Sequence, residues 1–235
     1  MIVDAPWETK VLGVKSGILQ TAADVAASVA RADADGFEFV TAKVPTTDLA
    51  TIHALERSGF LLIETALHYS FRYADSPLPP APDVPIRRAD PADTEALVEL
   101  AALSFGAHFG RFHSDPRIGK ERADRVYEEW MRSSMGGYAD AVFVAEVEGR
   151  IAALSIWRDA TDGKFAHCSL GAVHPDYYNR GLFKAVIIAG TRLYAGVAEE
   201  VGGPTNLHNL PVQAAFHTIH WRRRGSTYTF HRWKP

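Results

Sequence analysis

Residues 165–184, FAHCSLGAVHPDYYNRGLFK, contain the pattern from which the fold is inferred. The apolar run that ends at Val173 predicts a strand, and the residues after Gly181 open a helix. A strand that leads directly into a helix leaves backbone N–H groups unpaired at the positive end of the helix dipole. Gly181 lets the backbone approach a bound group, and Arg180 and Lys184 add positive charge. The segment predicts a phosphate site, although an ordinary turn with solvated basic residues has the same spacing.

The chain downstream of residue 86 predicts further elements on both sides of this segment. Apolar runs of period two alternate with runs of helical spacing, in the order β-α-α-β-β-β-α-β-α-β. The predicted elements are a strand at 86–90, helices at 90–105 and 120–137, a hairpin over 141–159 that turns at Glu148 and Gly149, a strand at 165–173, a long helix after Gly181, a short strand and a helix within 205–225 that Trp221–Arg224 closes, and a strand at 226–233. This order predicts an α/β protein.

A smaller β-α-β-α-β unit is predicted ahead of these elements. Its strands are predicted at 11–19, 36–44 and 60–73, and its helices at 21–34 and 47–59. The next stretch, ADSPLPPAPDVP, has five prolines in twelve residues. Proline fixes φ and lacks an N–H group, so this stretch continues neither a helix nor a strand. We therefore predict a half-domain at 1–74, a linker at 75–85 and a second domain at 86–235.

Composition and charge exclude several classes of protein. Hydrophobic residues make up 47% of the 235 residues and charged residues 23%, which is typical of a globular chain rather than a disordered one. The net charge of −3 lacks the basic excess that nucleic-acid binding requires. We find no apolar run of membrane-spanning length and no signal-peptide pattern, and we expect a cytoplasmic protein. One cysteine, Cys168, excludes an internal disulfide, and the ten histidines lack zinc-site spacing, so we expect no bound metal.

The strand-to-helix segment resembles the signature of the GCN5-related N-acetyltransferase (GNAT) superfamily. Val173, Pro175, Tyr178, Gly181 and Phe183 align with the positions of that signature. Two of them depart from its pattern, which has Gln or Arg where this chain has Tyr178 and Gly or Ala where it has Phe183. The first departure removes a polar side chain, and the second places a bulky group where the backbone must come close to an anion.

A second motif is similar to the superfamily's later strand and helix. It consists of Thr205, Asn209, Phe216 and Gly225, and Asn209 is also placed to cap the helix. The resemblance implies a GNAT fold, with a mixed twisted sheet flanked by helices, and an acyl-CoA ligand such as acetyl-CoA. Its pyrophosphate would lie on the backbone N–H groups and its pantetheine beside the preceding strand. The cofactor-binding residues so implied are Leu170, Gly171, Ala172, Val173, Tyr178, Asn179, Arg180, Gly181, Leu182, Phe183, Lys184, Asn209 and Phe216.

Nearly the whole chain also resembles the dTDP-fucosamine (dTDP-4-amino-4,6-dideoxygalactose) N-acetyltransferases. The motifs that carry this narrower resemblance are Trp7, the segment 55–60, Phe105, Arg111-Phe112, Asp115-Pro116-Arg117, Tyr127 and Trp130. It implies a small-molecule acceptor, an amino sugar attached to a nucleotide. The loop between two predicted helices offers His108, Arg111, His113 and Arg117 as substrate-binding residues, because arginine binds phosphate in a bidentate manner. A solvated connecting loop is the alternative.

The superfamily resemblance implies that a neutral amine attacks the thioester directly within a ternary complex. His167 lies on the strand where some members carry a catalytic Glu, and imidazole titrates near neutrality, so it is the candidate general base. A structural strand histidine is the alternative. Phe216 stands where the sugar N-acetyltransferases have Tyr, so solvent, His217, His220 or Tyr228 must protonate the thiolate. We favour solvent, and among the side chains His220 is expected one helical turn from Phe216 on the same face.

Three functions are consistent with the sequence. The leading one is an enzyme, an N-acyltransferase that acts on a nucleotide-linked amino sugar. The second keeps the chemistry but takes another amine, such as a protein N-terminus, an amino acid or an aminoglycoside. The third is a non-catalytic acyl-CoA-binding or sensing protein. The acyl chain length stays open, as does the oligomeric state, for which a homodimer is one arrangement.

Overall fold

The computed structural model describes residues 1–20, 24–106, 110–159 and 163–235. The strands are β1 (Ile2–Asp4), β2 (Ser16–Leu19), β3 (Phe39–Pro45), β4 (Leu61–Arg72), β5 (Ile86–Arg88), β6 (Ala141–Val147), β7 (Arg150–Asp159), β8 (Phe165–Val173), β9 (Glu200–Asn206) and β10 (Arg222–Trp233). The helices are α1 (Pro6–Leu12), α2 (Val25–Ala34), α3 (Leu49–Arg57), α4 (Thr94–Phe105), α5 (Lys120–Ser133), α6 (Leu182–Leu193) and α7 (Leu210–Thr218). Short 3-10 turns cover Pro91–Asp93 and Pro175–Tyr177.

The chain forms two compact units, each built from separated stretches. Unit 1 comprises Met1–Leu67, Phe109–Val126 and Gly225–Pro235, and unit 2 comprises His68–His108 and Tyr127–Arg224. These stretches differ from the contiguous ranges predicted from the sequence. The physical reason at the C-terminal end is that β10, the last strand, pairs with β3 of unit 1.

The sheet of unit 1 has the strand order β1-β2-β3-β10-β4. β2 runs parallel to β3, whereas β1 and β10 run antiparallel to β2 and β3 respectively. One face of β3 presents Val40, Ala42 and Val44, which pack in a core with Leu55 of α3 and Phe230 of β10. The opposite face of β3 presents Phe39, Thr41 and Lys43, because side chains alternate between the two faces of a strand.

The sheet of unit 2 has the strand order β4-β9-β8-β7-β6-β5. β8 and β9 are parallel, and the strands from β5 to β8 are antiparallel to their neighbours. Val144 and Leu154 pack in a core with residues of α4 and α5, whereas Ala145 and Ala153 pack with Val186 of α6. Helices therefore cover both faces of a mixed sheet. In the described ranges, no helix has the length and apolar character needed to cross a bilayer.

The α/β fold class with a mixed sheet flanked by helices is confirmed. From β5 to β10 the elements follow the predicted order β-α-α-β-β-β-α-β-α-β. The hairpin between β6 and β7 turns at Glu148 and Gly149, whose φ angles of 53° and 75° are both positive. Positive φ at both central residues is the type I′ geometry that matches the twist of the flanking strands.

The strand predicted at 11–19 is wrong at its beginning. Val11 and Leu12 are the last residues of helix α1, and β2 begins only at Ser16. Pro6 at the first helical position and a left-handed Gly13 at the C-cap delimit the helix. Both are ordinary end signals of a helix, which the apolar run at 11–19 obscured.

The prediction that Trp221–Arg224 closes a helix is also wrong. Helix α7 ends at Thr218, and β10 already begins at Arg222. Trp221 is fully buried between them and stacks on Phe216, with ring centroids 4.8 Å apart. The buried aromatic pair therefore fixes the end of the helix, and the following arginines extend as a strand.

Candidate functional site

The first turn of α6 in unit 2 presents backbone N–H groups that no side chain of the described ranges caps. Gly181 is the N-cap residue, with φ of 74°, and it has no side chain to accept from those groups. Asn179 also has a positive φ, of 63°. The first N–H groups of a helix have no partner inside the helix and lie at its positive end. Leu182, Phe183 and Lys184 therefore offer their N–H groups to an anion.

The charged side chains of this loop are placed around the helix start. Arg180 is exposed, and its guanidinium lies over the Tyr177 ring at 5.0 Å from the centroid. Tyr178 is 54% exposed, so it does not fill the space at the helix start. His174 fixes the preceding turn, because its Nδ1 accepts from the N–H of Asp176 at 3.2 Å. The loop is thus shaped by local contacts, and within the described residues these contacts do not cap the N–H groups at the start of α6.

Strands β8 and β9 are paired only at their beginnings. The register joins Phe165 to Glu200, Ala166 to Val201 and His167 to Gly202. β8 then continues to Val173 and β9 to Asn206, without a further register pair in the described chain. The two strands therefore separate, and the edge of β8 at 170–173 can pair with an extended ligand. β7 remains paired with β8 as far as Val173, so β8 keeps its geometry along this edge.

Phe183 lies against β8 rather than over the uncapped N–H groups. A Cβ added at Gly171 would come within 2.9 Å of the Phe183 ring, so the ring occupies the space above this glycine. The Phe183 ring also lies 5.8 Å from that of Phe216 on α7. The bulky residue expected to crowd the anion therefore packs between a strand and a second helix. Gly171 is required there because any side chain would displace the ring.

His167 and Cys168 lie where β8 and β9 separate. His167 is half-buried, and its ring centroid is 6.2 Å from that of Phe165. Cys168 is buried, and burial raises the pKa of its thiol to about 12. The thiol therefore stays protonated near neutrality and is a poor nucleophile. Of the two side chains, His167 is the one suited to accept a proton.

Helix α7 carries the remaining predicted residues of this site. The Asn209 side chain caps the helix, since its Oδ1 accepts from the N–H of Val212 at 3.4 Å. Phe216 is 3% exposed and packs against the Tyr69 ring of β4 at 5.2 Å. The Tyr69 hydroxyl lies 3.4 Å from His217 Nε2. Tyr69 was not predicted as a site residue, although it shares one face of β4 with Phe71.

His220 does not share a helical face with Phe216, so that expectation is wrong. Helix α7 ends at Thr218, and His220 has a φ of 63° in the turn that follows. The residue is exposed whereas Phe216 is buried. Two residues past the end of the helix, the i, i+4 relation no longer determines the direction of a side chain.

Three of the four residues predicted to bind the acceptor belong to unit 1. Arg111 pairs with Glu8 at 2.7 Å, and His113 Nε2 lies 2.8 Å from Asp124 Oδ1. Each side chain has a carboxylate partner.

Arg117 donates to both carboxylate oxygens of Asp115, at 2.7 and 2.8 Å. The other residue, His108, lies outside the described residues. Both arginines are thus ion-paired within unit 1. Only the pair of Arg117 has a local signal in the sequence, because its partner Asp115 lies two residues earlier.

Comparison with known proteins supports this fold. No protein-family profile matches the chain. The spore coat polysaccharide biosynthesis protein SpsD of Bacillus subtilis is 26% identical over 98% of this chain and 82% of its own length. A GCN5-related N-acetyltransferase from Kribbella flavida has a TM-score of 0.61 at 13% identity, covering 92% of this chain and 80% of that one. A conserved protein of unknown function from Staphylococcus epidermidis has a TM-score of 0.65 at 14% identity, covering 94% and 85%. The chain has the fold of the GNAT acetyltransferases.

Proposed function

We propose that this protein is an N-acyltransferase that transfers an acetyl or other short acyl group from acyl-CoA to an amine. The observation that carries the proposal is the separation of β8 from β9 beside an uncapped helix start at Gly181. The free strand edge suits an amide-containing arm, and the helix start suits a pyrophosphate. One ligand that has both parts, in this order, is coenzyme A.

The residues around the helix start fit an acyl-CoA. The backbone N–H groups at 182–184 would hold the pyrophosphate, with Arg180 and Lys184 adding charge-assisted contacts. Leu170–Val173 would hold the pantetheine arm through their backbone groups. Bound acyl-CoA supplies a thioester, whose carbonyl carbon is the electrophile for an amine.

His167 is the proposed general base. It lies at the last paired position between β8 and β9, where the free edge begins. A neutral imidazole there accepts the proton that the attacking amine loses. Phe216 has no proton to donate, so solvent protonates the departing thiolate in this proposal. His220 is exposed beyond α7 and stays the side-chain alternative for that role.

We propose an amino sugar, linked to a nucleotide, as the acceptor. The support is the likeness to SpsD, a protein named for spore coat polysaccharide biosynthesis, over nearly the full chain. A nucleotide-linked sugar is the activated precursor of a polysaccharide, and an amino sugar of this kind carries its amine on the sugar ring. Transfer then requires that both substrates be held together, because proximity supplies the largest share of the rate enhancement for such a reaction.

Calorimetry with acetyl-CoA, followed by addition of dTDP-4-amino-4,6-dideoxygalactose with detection of free thiol, tests the proposal. We expect saturable acetyl-CoA binding and thiol release that depends on the amino sugar. The variant His167→Ala should bind acetyl-CoA as the wild type does but release thiol more slowly. The matched control is His53→Ala, which removes an exposed histidine of α3 in unit 1. Absence of acetyl-CoA binding would contradict the proposal.

A second candidate function is acyl-CoA binding without catalysis. The observation that favours it is Phe216, which is buried between Tyr69 and Trp221 and places an inert ring in α7. Acetyl-CoA binding with no thiol release on any tested amine, including amino acids, aminoglycosides and peptides, would support this alternative. Thiol release with one of those amines instead would keep the transferase and change the acceptor.

A further inference from the structure

Unit 1 contains buried polar atoms that have no hydrogen-bond partner among the described residues, and three of them belong to His231 and to residues that pair with it or act on it. These three atoms are Glu8 Oε2, Thr41 Oγ1 and His231 Nε2. These residues are 6%, 2% and 0% exposed. A buried polar atom without a partner costs free energy, and proteins leave such atoms mostly where a water or a ligand completes them. The proximity of these three atoms therefore points to a binding function.

Thr41 of β3, His231 of β10 and Glu8 of α1 belong to one largely buried polar group. Thr41 and His231 are direct register partners, so their side chains lie on the same face of the sheet. Lys43 follows two residues along β3 on that face and is exposed. Arg111, paired to Glu8 Oε1, acts electrostatically on both Lys43 and His231, as does Glu8 itself. We name Glu8, Thr41, Lys43, Arg111 and His231 the polar cluster.

Asp115 determines which nitrogen of the His231 ring is the hydrogen-bond acceptor. Burial alone would raise the pKa of Asp115, but hydrogen bonds from His231, Arg117 and Trp233 outweigh it and hold the pKa well below its usual range. The ionised carboxylate accepts from His231 Nδ1 at 3.0 Å. Burial lowers the pKa of His231 despite this bond, so the ring is neutral. Its Nε2 then carries a lone pair and accepts hydrogen bonds.

The charges around Lys43 are mixed. Arg111 acts most strongly on Lys43 and, together with partial desolvation of the ammonium group, lowers the pKa of Lys43 to about 8, while Glu64 and Glu8 act in the opposite direction. The polar cluster thus combines cations with carboxylates rather than presenting one sign of charge. Such a surface does not favour a simple anion or a simple cation.

The donors and acceptors of the polar cluster select one class of ligand. Glu8 Oε2 and His231 Nε2 can only accept, Lys43 can only donate, and the Thr41 hydroxyl does either. An inorganic anion could accept from the donors of the cluster but could not donate to its acceptors. An ammonium group could donate to the acceptors but could not accept from the donors. A hydroxyl group both donates and accepts, and several neighbouring hydroxyls on a rigid ring would satisfy all of these atoms together.

We propose that the polar cluster of unit 1 binds the hydroxyl groups of a monosaccharide, the sugar ring of the acceptor. This inference rests on the proposed function for its choice of an amino sugar as the physiological ligand. The unit 1 segments that contain the cluster thereby form a sugar-binding module. Arg111 acts in it through Glu8, which it holds in place, rather than by contacting a diphosphate.

Calorimetric titration with dTDP-4-amino-4,6-dideoxygalactose, compared with dTDP alone, isolates the contribution of the sugar ring. Thr41→Val removes a hydroxyl that has no hydrogen-bond partner among the described residues, so that part of the fold loses no hydrogen bond. We expect this variant to be at least as stable as the wild type but to bind the sugar nucleotide about tenfold more weakly, the usual effect of one lost hydrogen bond. Lys43→Met, at an exposed position, should weaken it at least as much.

Binding of dTDP alone and of acetyl-CoA should not change in either variant. The matched control is Lys15→Met, which removes a cation of unit 1 that lies over the Phe37 ring, outside the polar cluster. Wild-type affinity for the sugar nucleotide in both variants would overturn the inference, as would a wild-type protein that binds dTDP as tightly as the sugar nucleotide. Loss of acetyl-CoA binding would contradict only the proposed function, because a sugar-dependent difference between wild type and Thr41→Val would still support the polar cluster.

Discussion

Gly181→Ala is the substitution that most sharply separates backbone strain from ligand binding. Gly181 has a φ of 74°, and a Cβ there would meet only the flexible end of Lys184, at 3.9 Å. The substitution therefore costs the penalty of a left-handed alanine, about 1–2 kcal/mol of unfolding free energy, rather than a steric clash. Gly149 provides the control, because its φ is 75° and a Cβ there would meet nothing within 4 Å.

The two variants should lose similar stability but differ in binding. Rotation of the backbone at residue 181 to relieve the strain turns the N–H groups of α6 away from the anion. One hydrogen bond to a charged group contributes about 1.5–3 kcal/mol, so Gly181→Ala should weaken acetyl-CoA binding by about tenfold or more. Gly149→Ala should keep wild-type affinity. Urea unfolding measures the first quantity and calorimetry the second.

Wild-type affinity for acetyl-CoA in Gly181→Ala would contradict this prediction. An equal loss of affinity in Gly149→Ala would contradict it as well, because general loosening of unit 2 would then explain both results. The comparison holds even though both variants are less stable, since the two strains are matched and both residues belong to unit 2.

Three further predictions concern single side chains. Asn209→Ala should lower the free energy of unfolding, measured in urea, by about 1 kcal/mol because the α7 cap is lost. Asn209→Ser should restore this stability. Acetyl-CoA affinity that stays low in the serine variant would show that the Asn209 amide itself contacts the ligand. The pKa of Lys43 is lowered from 10.5 to about 8 in the folded chain, so the unfolded chain binds more protons between these two pH values. The wild type should therefore gain stability from pH 8 to 10.5 relative to Lys43→Met. Parallel pH profiles of the unfolding free energy would contradict the lowered pKa of Lys43. Asp115→Asn should destabilise the protein by about 3–5 kcal/mol near neutral pH, because it removes the charge that pairs with Arg117 and that accepts a hydrogen bond from the neutral His231 ring. Since the folded pKa of Asp115 is lowered, its contribution to stability is full above pH 3.8 and is lost as the pH falls below that value. The stability curves of wild type and variant should therefore converge in acid.

Much of the fold could be predicted because local patterns determine it. β8 has the bounds of the apolar run that defined it, and the turn at Glu148 and Gly149 follows from residues that tolerate a positive φ. Helix α1 was missed because its last residues, Val11 and Leu12, join an apolar run that continues into β2. The apolar period and the helix-end signals conflicted there, and the end signals prevailed.

The site was less predictable because its contacts join residues that are distant in sequence. The position of Phe183 depends on the absence of a side chain at Gly171, on another element. The pairing of Arg111 with Glu8 spans a hundred residues and converts an expected phosphate ligand into an ion pair within the protein. The polar cluster likewise needs the register of β3 against β10, which no local pattern encodes.

The most direct test of the central claim is detection of the acylated amine. Wild-type protein is incubated with acetyl-CoA and dTDP-4-amino-4,6-dideoxygalactose, and mass spectrometry follows the sugar nucleotide. We predict a product heavier by one acetyl group, formed at the same rate as free thiol. At subsaturating acetyl-CoA, Gly181→Ala should form it more slowly than Gly149→Ala. Thiol release without an acetylated product on this or any other amine would contradict this prediction, because the thioester would then be transferring its acyl group to water.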